Sequence, residues 1–355
     1  MSLRKWLVLS VIAFFPLSNH ASTNDIKKPL PKVIVLSTGG TIAGESVSAT
    51  DTTDYKAGQR SGKELITAVP EIANVADIEV EQVANVSSPN LQYSHLLALS
   101  HAANRHLKNP EVAAVVITHG TSTAEETAIF LDLTVPSGKP VVVVGAMRPA
   151  TAISADGPFN LLQAVALAAH PAAAERGTMI VSNDRITSAM YGTKTHTVAL
   201  DTFQAADQGH LGVMVGTTPC FFYTPAIATG KPYFDVSDVT TLPKVDILYG
   251  YVENDASMLD YLVAQHAQGI VVAGPGNSSL SEAFVDKIKK LEANGFPVVR
   301  ASRTGAGIVT PKKEGIAAGF YNPQKARLLL ALSLNAGNTL DEIKANFFQD
   351  VNARR

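Results

Sequence analysis

Runs of consecutive apolar, mostly β-branched residues recur along this chain: Val33–Leu36, Val115–Ile117, Val141–Val144, Met179–Val181, Val245–Tyr249, Ile270–Ala273 and Val298–Arg300. Most are bounded by Gly, Pro or Ser. A strand with one wet face alternates polar and apolar residues, whereas an unbroken apolar run suits a parallel strand covered on both faces. Between the runs the apolar spacing turns helical. Asn160–His170 is one such segment, entered through Asp156-Gly157-Pro158. Ser281–Asn294 is another, with Ser281 as its cap and Gly295 as its stop. Strand and helix in repeated alternation predict an α/β fold. Residues 224–242 break the pattern, with Pro225, Gly230 and Pro232 inside the stretch and Pro243 just after it. They predict a linker between two α/β domains. The larger N-terminal one (22–223) has a parallel-rich sheet flanked by helices, and the smaller C-terminal one spans 243–355. No internal repeat or low-complexity tail is present.

The first residues follow a different rule. Arg4 and Lys5 precede an apolar stretch from Trp6 to Leu17, and the small, polar segment Ser18–Ser22 follows. That order predicts a secretory signal peptide cleaved after Ala21, giving a periplasmic or secreted protein with no membrane attachment. The apolar stretch is short for a bilayer span, the arrangement that a retained anchor would need.

Composition narrows the class further. Of 355 residues, 46% are hydrophobic and 17% charged, which describes a globular protein with large cores. A formal net charge of -2 and the lack of a basic run argue against nucleic acid as a partner. Cys220 is the sole cysteine, so no intrachain disulfide forms. Its place in the apolar run Cys220–Tyr223 predicts a small buried hydrophobe. No Cys/His cluster has metal-ligand spacing.

Two strand ends carry candidate chemistry, and the carboxyl ends of parallel strands are where such sheets bind ligands. The first is VIVLSTGGTIAG, Val33 to Gly44. Its glycines allow a sharp turn and close approach of a ligand to the backbone. The pattern matches neither the dinucleotide fingerprint nor a phosphate-binding loop. A threonine on this turn is a candidate nucleophile, or else bonds only to backbone. The second is VVITHGTSTAEETAIFLDL, residues 115–133. Ser122 with Glu125, or Thr123 with Glu126, fits a capping box, and the helix start behind them is a seat for a substrate carboxylate. A hydroxyl nucleophile needs a base. Lys194, flanked by Gly192, Thr193 and Thr195, fits that role if it is desolvated.

These residues resemble the signature motifs of the bacterial-type L-asparaginases: TGGTIAG at Thr38–Gly44 and HGTST at His119–Thr123. GAMRPATAISADGPFNL (Gly145–Leu161), AGPGN (Ala273–Asn277) and NPQKARLLL (Asn322–Leu330) look like the same family in the same order. The exported form resembles its type II, periplasmic branch, which includes glutaminase-asparaginases. The resemblance implies hydrolysis of a side-chain amide through an acyl-threonine, with no metal or cofactor. It also implies a homotetramer whose active sites are shared between subunits. By match to the motifs, Thr41 is the nucleophile and Tyr55 its activating loop tyrosine. Thr121 and Lys194 form a second hydroxyl–base pair. Ser88 holds the substrate α-carboxylate, Asn277 reaches into a neighbouring subunit's site, and Glu314 is the acid of the late loop.

The sequence departs from that family where the substrate's α-amino end would lie. Ser122 stands where an aspartate is usual, and Pro89 where a glutamine is usual. Serine still caps a helix, but the charge is gone, and proline brings neither a side-chain amide nor an N–H. The residues implied to break the bond are all kept. The resemblance therefore implies an exported asparaginase acting on asparagine, with glutamine as a further candidate substrate. The alternatives are an amidase for a related amide without a free α-amino group, or an inactive periplasmic binding protein.

Overall fold

The computed structural model describes residues 29–136, 138–225 and 232–348. The expected signal peptide lies outside them. In chain order, strands β1 (Lys32–Gly39), β2 (Asp77–Val86), β3 (Val112–Thr118), β4 (Val141–Val144) and β5 (Thr178–Ser182) alternate with helices. These helices are α1 (Gly62–Thr67), α2 (Tyr93–Leu107), α3 (Ala124–Thr134) and α4 (Gly157–Ala169). A run of short strands follows: β6 (Arg185–Ser188), β7 (Thr193–Lys194), β8 (Phe203–Gln204), β9 (Gly212–Val215) and β10 (Thr218–Phe221). The second domain holds strands β11 (Val245–Tyr249), β12 (Gly269–Gly274), β13 (Val298–Ser302) and β14 (Ile316–Ala317). Its helices are α5 (Ser257–Ala264), α6 (Glu282–Ala293), α7 (Pro323–Asn335) and α8 (Leu340–Phe347).

Each apolar run falls within a strand. The first sheet has eight strands in the order β10-β9-β6-β5-β4-β3-β1-β2, and the second has four in the order β11-β12-β13-β14. Strands β2, β1, β3, β4 and β5 pair in parallel, and β6, β9 and β10 add an antiparallel flank. The second sheet is parallel throughout. Along β1 the side chains alternate between two cores. Val33 and Val35 pack with α4, whereas Ile34 and Leu36 pack with α2 and α3. This double burial explains why β1 reads as a continuous apolar run.

The two domains share a third core. Leu96, Leu97, Ile129, Phe130 and Leu133 of the first domain pack with Leu328–Leu332 of α7 and with Val271 and Val299. Phe234, Val236 and Leu242, from the stretch expected to link the domains, join that core. Helix α4 starts at Gly157, earlier than its apolar spacing indicates, and Ser281 occupies the N-cap of α6 without a side-chain bond. Among the described residues no helix is long and apolar enough to cross a membrane.

Cys220 departs from its expectation: it is exposed. It lies on β10, the outermost strand of the sheet, where Pro219 turns inward and Cys220 outward. An edge strand with one wet face alternates, so an apolar neighbourhood in sequence does not bury every member.

Candidate active site

Strand β1 leads out to β2 on one side of the sheet, and β3 leads to β4 on the other. Between the carboxyl ends of β1 and β3 the order therefore reverses, which opens a crevice at a topological switch point. The two hydroxyl-rich loops leave their strands there. Thr38 Oγ1 donates to the Thr118 carbonyl at 2.9 Å and ties the strand ends together. Beyond it, Gly40 (φ 80°) meets Gly120 so closely that a Cβ on Gly40 would lie 2.3 Å from the Gly120 nitrogen. Only glycine permits this approach. Thr41 and Thr121 are each the next residue along their loop.

Thr41 opens a short 3-10 turn, Thr41–Ala43, and is 6% exposed. Its Oγ1 and the Tyr55 hydroxyl lie 2.6 Å apart. Tyr55 belongs to a loop pinned by paired backbone bonds between Glu45 and Lys56, and its ring packs where a side chain on Gly44 would clash. Thr121, 4% exposed, accepts a hydrogen bond from Lys194 Nζ at 2.8 Å. Lys194 comes from the β7–β8 hairpin. Burial holds its ammonium below the usual lysine range, and the Glu125 carboxylate partly opposes this. A cleft of about 650 Å³ is lined by Tyr55, Thr121, Ser122 and Lys194 together with Met147 and Arg148.

His119 supports the second loop from behind. It is fully buried, and its Nδ1 lies 2.7 Å from the Gly120 carbonyl. A carbonyl only accepts, so Nδ1 carries the proton and Nε2 accepts from the Thr127 hydroxyl at 2.8 Å. Burial pushes the ring down to about 4, so it is neutral at physiological pH. Ser88, 4% exposed, presses its Oγ toward Gly120, where an added Cβ would lie 2.6 Å away.

The family model described as "Asparaginase, N-terminal" matches residues 32–227, and that described as "Glutaminase/Asparaginase C-terminal domain" matches residues 244–347. This chain belongs to the asparaginase family. It is an asparaginase-type amidohydrolase. "L-asparaginase 2" of Bacillus subtilis is 46% identical over 329 residues, spanning 90% of this chain and 87% of the relative. The "Probable L-asparaginase periplasmic" of Haemophilus influenzae is 41% identical over 330 residues, spanning 90% and 93%. Among solved structures, the "Probable Cytoplasmic L-asparaginase from Campylobacter jejuni" superposes with a TM-score of 0.86 at 43% identity, covering 90% of this chain and 99% of that one.

In this asparaginase the helix start differs from the expected capping box. Thr123, not Ser122, is the N-cap of α3, and its Oγ1 donates to the Ser88 carbonyl at 3.1 Å. Ser122 is exposed and faces the cleft. Glu125 is drawn away from the cap by better partners. It is 4% exposed and accepts from Thr193 Oγ1 (2.6 Å), Asn322 Nδ2 (2.8 Å), Gln324 Nε2 (3.2 Å) and Lys194 N (3.3 Å). A buried carboxylate needs such donors, and a solvent-facing cap does not supply them. The sequence reading missed this group. The available signal was three polar residues, Asn322, Gln324 and Lys325, placed at the start of the largely buried helix α7.

Ser88 lines a separate cavity of about 420 Å³, with Pro89, Thr123, Glu126 and Arg327. Asn277 is exposed in the second domain and exchanges hydrogen bonds with Thr310 at 2.8 and 2.9 Å. The Glu314 carboxylate lies 3.7 Å from Lys289 on α6, and its carbonyl accepts from Arg300 Nε at 2.8 Å. Neither residue lines the cleft of its own chain. Among the described residues no group of three or more His, Cys, Asp or Glu is placed to hold a metal ion.

Proposed function

We propose that this asparaginase hydrolyses the side-chain amide of L-asparagine to aspartate and ammonia through an ester on Thr41. The observation that carries this reading is the pairing of each loop hydroxyl with an activating group at one crevice, Thr41 with Tyr55 and Thr121 with Lys194. Thr41 Oγ1 attacks the amide carbon as its proton passes to the Tyr55 oxygen, and the phenol hands its own proton on toward the leaving nitrogen. Loss of a proton from Lys194, favoured by burial, supplies the base on the Thr121 side. The C–N bond then breaks, ammonia leaves with the proton returned to it, and water hydrolyses the ester and frees Thr41. The family motif gives Ser88 the substrate carboxylate, and its Oγ lies against Gly120 in the loop that carries Thr121. Asn277 and Glu314, neither of which lines the cleft of its own chain, serve a neighbouring subunit's site in a homotetramer. Export rests on the Arg4–Leu17 pattern.

The test is ammonia release from L-asparagine. Thr41→Ala should lower kcat by at least about a thousandfold with the fold intact. Unchanged turnover in that variant would overturn the assignment.

A second reading has its own observation: among the described residues of one chain that line the cleft, none is Asp or Glu, whereas Arg148 and Lys194 are both present. This favours an amide whose far end is anionic and carries no α-ammonium. If so, succinamate, which is asparagine without its amino group, is turned over faster than asparagine, and Ser122→Asp reverses the order. Glutamine, longer by one methylene, belongs in the same panel. Failure of Ser122→Asp to change the ratio would leave asparagine as the substrate.

A further inference from the structure

The group around Glu125 joins the two domains at the point where Lys194 is held. Glu125 lies in the first turn of α3, a few residues after Thr121, and so belongs to the element that places Thr121. Its carboxylate also grips the Lys194 backbone N–H and the Thr193 hydroxyl. From the other side, helix α7 of the second domain points its N-terminus at the same carboxylate. Asn322 caps α7 through Oδ1 while its Nδ2 reaches Glu125, and Gln324 reaches the other carboxylate oxygen. Lys325, 1% exposed, has its ammonium 3.9 Å from Glu125 and donates to the Met190 and Gly192 carbonyls at 3.0 and 2.6 Å. The segment 190–194 is thus held by a carboxylate from one domain and an ammonium from the other.

We propose that Glu125, paired with Lys325 across the domain seam, is a positioning residue that places Lys194 against Thr121 without touching substrate. The inference rests on the reading that Thr121 and Lys194 take part in the chemistry. Two features support it beyond simple scaffolding. First, one carboxylate ties to both members of the pair, through the chain to Thr121 and through hydrogen bonds to the Lys194 backbone. Second, its charge favours the Lys194 ammonium while burial disfavours it. The charged or titratable groups near Lys194 are Glu125 on α3, Lys325 on α7, and Arg148 and Tyr55 across the cleft. Lys325 is itself pushed down to about 8 by burial, with Glu125 and Asp132 opposing that fall.

The experiment follows kcat and KM for asparagine, together with the pH dependence of Lys194 reductive methylation located by peptide mass spectrometry. Glu125→Gln keeps the size and removes the charge. We expect kcat to fall about 10- to 100-fold with KM within about twofold. The half-point of methylation should move to lower pH by roughly half a unit or more, because the ammonium loses its anion. Lys325→Met leaves Glu125 uncompensated and should move the half-point the other way. If either single variant fails to fold, the charge-neutral Glu125→Gln/Lys325→Met pair carries the same readout, with the downward shift expected. A fall in activity with no movement of the half-point in any folded variant would reduce Glu125 to scaffolding and overturn the proposal. Lys194→Met separates the two levels: full turnover in that variant sinks the underlying reading of the Thr121–Lys194 pair, whatever Glu125→Gln does.

Discussion

At His119 the chemistry of one side chain is decided by what it faces. The ring is enclosed, donates to Gly120 and accepts from Thr127, so the neutral tautomer is fully satisfied and the imidazolium is not. Its folded-state value is depressed from 6.5 to about 4. A depressed value means that protonation favours the unfolded chain. The contribution is therefore complete above pH 6.5 and is lost as pH falls from 6.5 through about 4. It amounts to about 3 kcal/mol at neutral pH. Denaturant melts of wild type and His119→Gln over that window should converge as pH falls, the variant being less stable at neutral pH and flatter below it. Parallel curves would show that His119 does not titrate as described.

The loops after β1 and β3 work as one element because their glycines touch. Gly40→Ala would drive a Cβ into the Gly120 backbone, at a φ that side chains rarely adopt. The neighbour is main chain, so no flexible side chain can yield. We expect a loss of about 3 kcal/mol or more and a fall in turnover of at least about a hundredfold, since Thr41 and Thr121 would part. Gly216→Ala is the control. Gly216 also has positive φ, but open space surrounds it. That change should cost about 1 kcal/mol and leave kcat alone. Equal damage from both would refute the contact argument.

On the scale of the molecule, the two domains are joined by burial as well as by the linker. Phe130 of α3 is fully buried in the core shared with α7 and the second sheet. Phe130→Ala should therefore cost about 3–5 kcal/mol. It should displace a single calorimetric transition of the whole protein, because the core it disrupts is built from both domains. Two separate transitions, with only one displaced, would show that the seam is not a common core.

The sequence alone determined the doubly covered parallel strands, the loops that follow β1 and β3, and the family. Doubly covered strands need unbroken apolar runs, and a tight strand-to-helix turn needs glycine and small hydroxyl residues. Both demands are local and visible in the order of residues. It did not reveal β2, whose Asp77–Val86 run is half exposed and mixes charges among its apolar residues, nor the antiparallel flank that turns Cys220 outward. It suggested a capping box that the fold does not make. Thr123 and Glu125 are near neighbours in sequence, but their partners are Ser88, Thr193, Asn322 and Gln324, brought from distant segments. Where a polar group goes is settled by which donors and acceptors are buried beside it, and only the tertiary structure decides that.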